Sequence, residues 1–304
     1  MNLKMGLKGK YTLRVTRPGV GVIRVLEFDN LITDLGLNGI GTNGTSWVNA
    51  VALGTGTATP AVGDTAVSGT VVSTTTTNGF SGGAITTGTG RYGWNRWTRR
   101  FAQGAATGNW TEVGIGRNST TLWSRALILD ASDNPTTLTI IATDILDVDY
   151  ELRVYPNEVD VTGTRTIGGI DTAYIVRPRS INTETAASLL TGSLMSPPSA
   201  ANAFLGVNGA LNANYLAPSG ASAIGDATVS VGAYINNSYT KVVTYSLSIS
   251  TGNVSGGLAS VTVYGAFASG ALNSGHYKCG FTPAILKDNT KTLALTFSFT
   301  WGRL

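Results

Sequence analysis

The residues best suited to chemistry in this 304-residue chain lie in two short segments. Arg91-Tyr92-Gly93-Trp94-Asn95-Arg96-Trp97-Thr98-Arg99-Arg100-Phe101 holds four arginines and four aromatic rings. Side chains alternate along an extended strand. Tyr92, Trp94, Arg96, Thr98 and Arg100 therefore share one face, and Arg91, Asn95, Trp97, Arg99 and Phe101 share the other. Arginine beside aromatic rings suits stacking on single-stranded bases or sugar rings, and it suits anchoring a subunit interface. It also suits a core strand whose arginines cap the edges. Arg91, Tyr92, Trp94, Arg96, Trp97, Arg99 and Arg100 are the candidate ligand or interface residues. The second segment is acidic: Asp144, Asp147, Asp149 and Glu151. As a strand it places Asp147, Asp149 and Glu151 on one face and Val148, Tyr150 and Leu152 on the other. Such a row serves as a solvated strand face, as calcium ligands or as a glycoside-cleaving carboxylate set. Asp147, Asp149 and Glu151 are the calcium candidates, although no Asp-x-Asp-x-Asp-Gly loop accompanies them.

Other reaction chemistries find little material. His276 and Cys279 are the chain's only histidine and cysteine. Two ligands do not make a zinc site, and a Ser-His-Asp triad would have to use His276. No Gly-x-Ser-x-Gly elbow and no Gly-Lys-Ser/Thr phosphate loop is present. Gly54-Thr55-Gly56 and Gly88-Thr89-Gly90 open no helix. The sequence therefore predicts neither catalytic residues nor a cofactor.

The elements that must position these segments are strands. Tyr11, Leu13 and Val15 alternate with Thr12, Arg14 and Thr16, and Pro18-Gly19 supplies turn chemistry. Val22 to Phe28 returns, which predicts a hairpin. Leu31 to Ile40 reads as one or two helical turns closing on Gly41. Strands are predicted over Tyr92–Phe101, Thr111–Gly116, Thr121–Leu129, Thr137–Ala142 and Asp147–Val154. Their short spacing points to a sandwich or barrel. No segment has the period of a long amphipathic helix.

The second half echoes the first. Between residues 35 and 90 only Asp64 is charged, and between 185 and 240 only Asp226 is. Ala61-Val62-Gly63-Asp64-Thr65-Ala66-Val67-Ser68 resembles Ala223-Ile224-Gly225-Asp226-Ala227-Thr228-Val229-Ser230. Thr107-Gly108-Asn109 is echoed by Thr251-Gly252-Asn253, and Asp133 to Leu138 by Asp288 to Leu293. These matches are collinear, which predicts an all-β chain of two β-sandwich-like domains made by internal duplication, with long Gly/Thr/Ser-rich loops or arms. The expected partition is a domain over 1–156, with a leading hairpin and a charge-poor arm at 35–90. A connection over 157–180 and a second domain over 181–304 follow.

Charged residues make up 12% of the chain and net charge is +4, against about 25% charged in an average soluble domain. So dilute a charge predicts no nucleic-acid partner. No run approaches the 18 apolar residues of a membrane span, so no membrane insertion is expected. A surface this poor in charge points to burial against copies of the same chain. The lone cysteine excludes an intrachain disulfide. The basic N-terminus lacks the apolar stretch of a signal peptide, so folding in a cytoplasm is expected.

Several segments resemble structural proteins of tailed bacteriophages. They are Phe28-Asp29-Asn30-Leu31-Ile32-Thr33-Asp34-Leu35-Gly36-Leu37-Asn38, Val51-Ala52-Leu53-Gly54-Thr55-Gly56 and Gly63-Asp64-Thr65-Ala66. Glu112-Val113-Gly114-Ile115-Gly116 leading to Leu122-Trp123-Ser124-Arg125-Ala126 belongs with them. Phe281-Thr282-Pro283-Ala284-Ile285-Leu286-Lys287 and Leu293 to Arg303 are similar to segments of phage tail and fibre proteins. The resemblance covers most of residues 1–156 and the C-terminal end, and is thin across 157–275. It implies an all-β virion protein, made in the cytoplasm of a bacterial host, that works by assembly with itself and with other tail or neck proteins. A tail, collar or tail-fibre role is implied, with a host-glycan-binding module or a capsid decoration protein as alternatives. It carries over no catalytic residue.

Overall fold

The computed structural model describes residues 1–42, 47–85, 90–178, 205–207, 209, 211, 227–263 and 277–304. Its first half runs β1 (Asn2–Arg17), β2 (Gly21–Asp29), β3 (Leu31–Ile32), α1 (Asp34–Gly41), β4 (Ala50–Gly54), β5 (Val71–Thr74) and β6 (Thr77–Ile85). Then come β7 (Tyr92–Phe101), β8 (Gly108–Trp110), β9 (Glu112–Asn118), β10 (Thr121–Leu127), β11 (Leu138–Ile140) and β12 (Ile145–Pro156). The second half runs β13 (Val161–Ile167), β14 (Ile170–Pro178), β15 (Leu205–Val207), β16 (Thr228–Val231), β17 (Thr240–Leu247), β18 (Leu258–Val263), β19 (Tyr277–Ile285) and β20 (Leu293–Arg303). The fold is all-β with several sheets, as the alternating patterns require.

Local chemistry explains the elements. The β1–β2 hairpin turns through Pro18-Gly19, with Gly19 and Gly21 at positive φ, a region glycine enters without steric cost. Tyr11 faces Phe28, and Leu13 faces Leu26, across the ladder. Helix α1 starts where Thr33 Oγ1 accepts the Gly36 N–H at 3.0 Å, an N-cap bond. The same hydroxyl donates to the Leu122 carbonyl at 2.7 Å, which ties the helix start to β10. Gly36 permits that approach, since a Cβ there would stand 2.3 Å from the Trp123 carbonyl oxygen.

The chain forms two compact units that interleave in sequence. Unit I comprises Leu7–Gly82, Trp94–Arg153 and Gly302–Leu304, and unit II comprises Met1–Gly6, Gly83–Gly93 and Val154–Trp301. In unit I, one sheet runs β2-β1-β12-β7-β6 and the other runs β3-β10-β9-β4-β5. In unit II, strands run β16-β17-β20-β1 through the first residues of β1, and a second sheet runs β13-β14-β19-β18-β15.

These orders repeat one plan. The run β12-β7-β6 corresponds to β20-β17-β16, and β3-β10-β9-β4 corresponds to β14-β19-β18-β15. Thr107-Gly108-Asn109 and Thr251-Gly252-Asn253 precede the equivalent strands β9 and β18. Asp133–Thr137 and Asp288–Thr292 also fall after equivalent strands β10 and β19, but Leu138 opens β11 whereas Leu293 opens β20. Residues 223–226 of the remaining echo lie outside the described residues.

One strand breaks the symmetry. In unit I, β1 lies between β2 and β12. Its counterpart β13 pairs only with β14 among the described residues. The edge of β20 is taken instead by the start of β1, where Ser298 N donates to Met1 O at 2.8 Å.

Each unit buries its own core. Unit I encloses Tyr11, Leu13, Trp123, Val148, Tyr150 and Leu152; unit II encloses Val243, Tyr245, Leu258, Val261, Phe297 and Phe299. Burying such a side chain contributes about 1.5–3 kcal/mol.

Candidate functional site

The two chemistry-bearing segments are neighbouring strands, β7 and β12, in unit I. Their charged faces coincide. Arg100 holds Asp147 through two bonds of 2.7 Å. Thr98 Oγ1 donates to Asp149 Oδ1 at 2.6 Å, and Arg96 donates to Glu151 Oε2 at 2.5 and 3.1 Å. These rungs share one antiparallel register. Further donors converge from the flanks. Arg14 reaches Asp149 at 3.4 Å, Asn78 reaches Asp147 at 3.2 Å and Arg153 reaches Glu151 at 2.7 Å. At the end of the row, Arg17 clamps Asp144 at 2.8 and 3.3 Å. The Arg17 guanidinium holds the Asp144 carboxyl below the usual carboxylate range.

Burial divides the two signs. Asp147, Asp149 and Glu151 are only 5–6% exposed, whereas the side chains of Arg14, Arg96 and Arg100 are 39–43% exposed. Guanidinium groups therefore lie over a buried row of carboxylates. This arrangement satisfies buried acids, as close packing requires, and crosslinks β1, β12 and β7. The calcium reading of Asp147, Asp149 and Glu151 finds its oxygens taken by arginine, threonine and asparagine donors. Among the described residues, no group of three or more acidic, histidine or cysteine side chains is placed to hold a metal.

The opposite face of the same strands is aromatic. Ring centroids step from Phe28 to Tyr11 (6.0 Å), Tyr11 to Tyr150 (5.2 Å), Tyr150 to Trp97 (6.4 Å) and Trp97 to Phe80 (5.7 Å). The order follows the strands β2-β1-β12-β7-β6. Trp123 Nε1 donates to Tyr150 Oη at 2.8 Å, and burial pushes the Tyr150 phenol up to about 12. Arg99 also points inward. It donates to the carbonyls of Asn49 and Val48 at 2.9 and 2.8 Å and to Thr77 Oγ1 at 2.6 Å. Burial lowers its pKa from the ordinary value.

The candidate residues therefore separate. Trp94 and Arg96 lie together on the charged face, with the guanidinium carbon 5.0 Å from the ring centre. Trp97 and Arg99 lie on the other face, so Trp94 and Trp97 do not form one aromatic platform. Arg91 and Tyr92 belong to unit II. There Arg91 approaches Glu158 at 3.8 Å, and Tyr92 packs on Tyr155 at 4.9 Å between centroids.

Sequence reasoning missed a second charge cluster. Arg125 donates to Glu112 at 2.5 Å, to Asp64 at 2.6 Å and to the Ala58 carbonyl at 2.9 Å. Glu112 is fully buried and its other oxygen accepts the Gly56 and Ser68 N–H groups. This clasp pins the loop between β4 and β5, and Val67 of that loop packs on Ala52 and Leu122. A signal was available. Asp64 is the one charge in the 35–90 stretch, and a solitary charge in an apolar segment calls for a partner. Cys279 is buried, which pushes its thiol up to about 12. His276 lies outside the described residues. No family model matches the chain, and neither a curated protein nor a solved structure does.

Proposed function

We propose that this protein is a structural component of a tailed-phage virion, a tail, collar or tail-fibre part that acts by assembly with copies of itself. One observation carries the reading most. The segment richest in reactive side chains is committed to a static lattice, with each acid on β12 held by donors from neighbouring strands. That is the chemistry of a scaffold that must keep its shape. The low charge and the sequence resemblance support the same reading. Virion localisation, after synthesis in the cytoplasm of a bacterial host, belongs to this proposal. Among the described residues, no helix is long and apolar enough to cross a membrane.

The test is the mass of the purified chain by light scattering, followed by negative-stain electron microscopy. The reading expects a discrete multiple of 31.5 kDa. Ring symmetry would indicate a collar, and an elongated trimer would indicate a fibre. A monomer at every concentration, joined by specific capture on a host glycan array, would replace assembly with receptor binding.

A further inference from the structure

The sequence holds four Asn-Gly pairs, which begin at Asn38, Asn43, Asn78 and Asn208. An asparagine before glycine cyclises most readily, because glycine puts no side chain in the way of its own backbone nitrogen. Asn43 and Asn208 lie outside the described residues. The fold treats the other two oppositely. Asn38 is 7% exposed within helix α1, where its carbonyl accepts the Thr42 N–H at 3.1 Å. Asn78 is exposed on strand β6.

Strand β6 is weakly held. It ends its sheet and, among the described residues, pairs only with β7. It carries no charge, and Gly79, Gly82 and Gly83 interrupt it. Glycine inside a strand weakens it. Phe80 stays 50% exposed although its ring meets Trp97. A segment with so little buried opens locally at low cost. One side chain ties β6 to the ionic row on β12. Asn78 Nδ2 donates to Asp147 Oδ1 at 3.2 Å, the oxygen that Arg100 Nε also holds at 2.7 Å.

We propose that Asn78-Gly79 is a self-modifying site whose conversion releases β6 from unit I. Closed, the extended backbone holds the Gly79 nitrogen away from the Asn78 side chain, so the reaction waits on opening of β6. The Gly79 nitrogen then loses its proton to solvent base and bonds to Asn78 Cγ, and Nδ2 leaves as ammonia. Water opens the cyclic imide at one carbonyl or the other, which gives aspartate or β-linked isoaspartate. Water is the only co-reactant. Either product changes what closes the strand. A donor to Asp147 becomes a second carboxylate beside it, and like charges at that distance oppose closure. The β-linked product also routes the backbone through a side-chain carbon. That extra atom spoils the alternation that sets Phe80 against Trp97. The conversion runs one way, so each opening event that leads to it leaves β6 released. The inference concerns unit I alone and does not depend on the assembly reading.

The test incubates the full-length protein in mildly alkaline buffer and maps it over time by peptide mass spectrometry, with hydrogen exchange read on the same samples. Asn78 is expected to gain the mass of an amide-to-acid change at least about tenfold faster than Asn38, since the rate follows local opening. Converted molecules are expected to lose amide protection across residues 77–82 while β12 keeps its own. Asn78→Asp is expected to show that loss without incubation. Asn78→Gln, whose longer side chain cyclises far more slowly, is expected to keep β6 protected throughout. Conversion at Asn78 no faster than at Asn38 would overturn the site. Unchanged β6 protection in the converted wild type would overturn the release, and so would unchanged protection in Asn78→Asp.

Discussion

Units I and II build the same sheet edge with different chemistry. In unit I, the β7–β12 rungs are ionic: Arg96 with Glu151 and Arg100 with Asp147, with Thr98 on Asp149 between them. In unit II, the equivalent β17–β20 rungs are neutral. Thr240 meets Thr300 at 3.1 Å and Thr244 meets Thr296 at 3.0 Å, both through hydroxyl pairs. The inward faces are alike in kind, with Trp97 beside Tyr150 in one and Tyr245 edge-on to Phe297 in the other. The aromatic face thus carries the shared fold, while the outer face is free to change. Cross-strand hydroxyl pairs and opposite charges stabilise a ladder by similar amounts, roughly 0.2–1 kcal/mol each. They differ in what disturbs them.

The largest expected effect breaks the buried clasp that unit I uses. Glu112→Ala leaves Arg125 charged in the core with one carboxylate fewer. Removing one partner of a buried pair costs about 3–5 kcal/mol. Urea unfolding should show that loss, and hydrogen exchange should place it in β4, β9 and β10 while unit II keeps its protection. Next comes a conversion of one rung. Arg100→Thr leaves Asp147 to Asn78 alone and should cost about 1–3 kcal/mol. Adding Asp147→Thr makes a rung of the unit II type and should recover stability to within about 1 kcal/mol of wild type. A double variant as weak as the sum of its parts would show that the two rung chemistries are not interchangeable. The smallest change is Tyr150→Phe, which orphans the Trp123 indole N–H in a dry core. A loss of about 1 kcal/mol is expected, read from the same urea titration.

Much of this was legible in the residues. The hairpin, the short helix and strand β7 appear where turn chemistry and alternation put them, and the alternation assigned both faces of β7 and β12 correctly. The pairing of the two strands was not legible. Arg96, Arg100, Asp147 and Glu151 lie about fifty positions apart, and only the register brings opposite charges together. The basic and acidic segments therefore read as two separate candidate sites, although each satisfies the other. The interleaving of the units escaped for a related reason. The chain passes between the units within β1, β6, β7, β12 and β20, and a strand's neighbours are set by tertiary pairing rather than by its own alternation. The repeated strand order was foreshadowed where turn motifs recur locally; the departure of β13 from that order was not.

The contrast between the units is tested most directly by hydrogen exchange with mass spectrometry as pH falls from 7 towards 2. Asp144 has its folded pKa depressed by Arg17. Its stabilisation is therefore complete above the unfolded value of about 4 and is lost as pH falls through the folded value. Among the described residues of unit II, the comparable group lies in a surface turn, where Lys291 and Thr290 hold Asp288 well below the usual range. The account predicts that β1 and β12 lose protection first where Arg17 and Asp144 join them, while the hydroxyl rungs of β17 and β20 stay protected. Simultaneous loss in both units, or loss in β17 and β20 first, would contradict it.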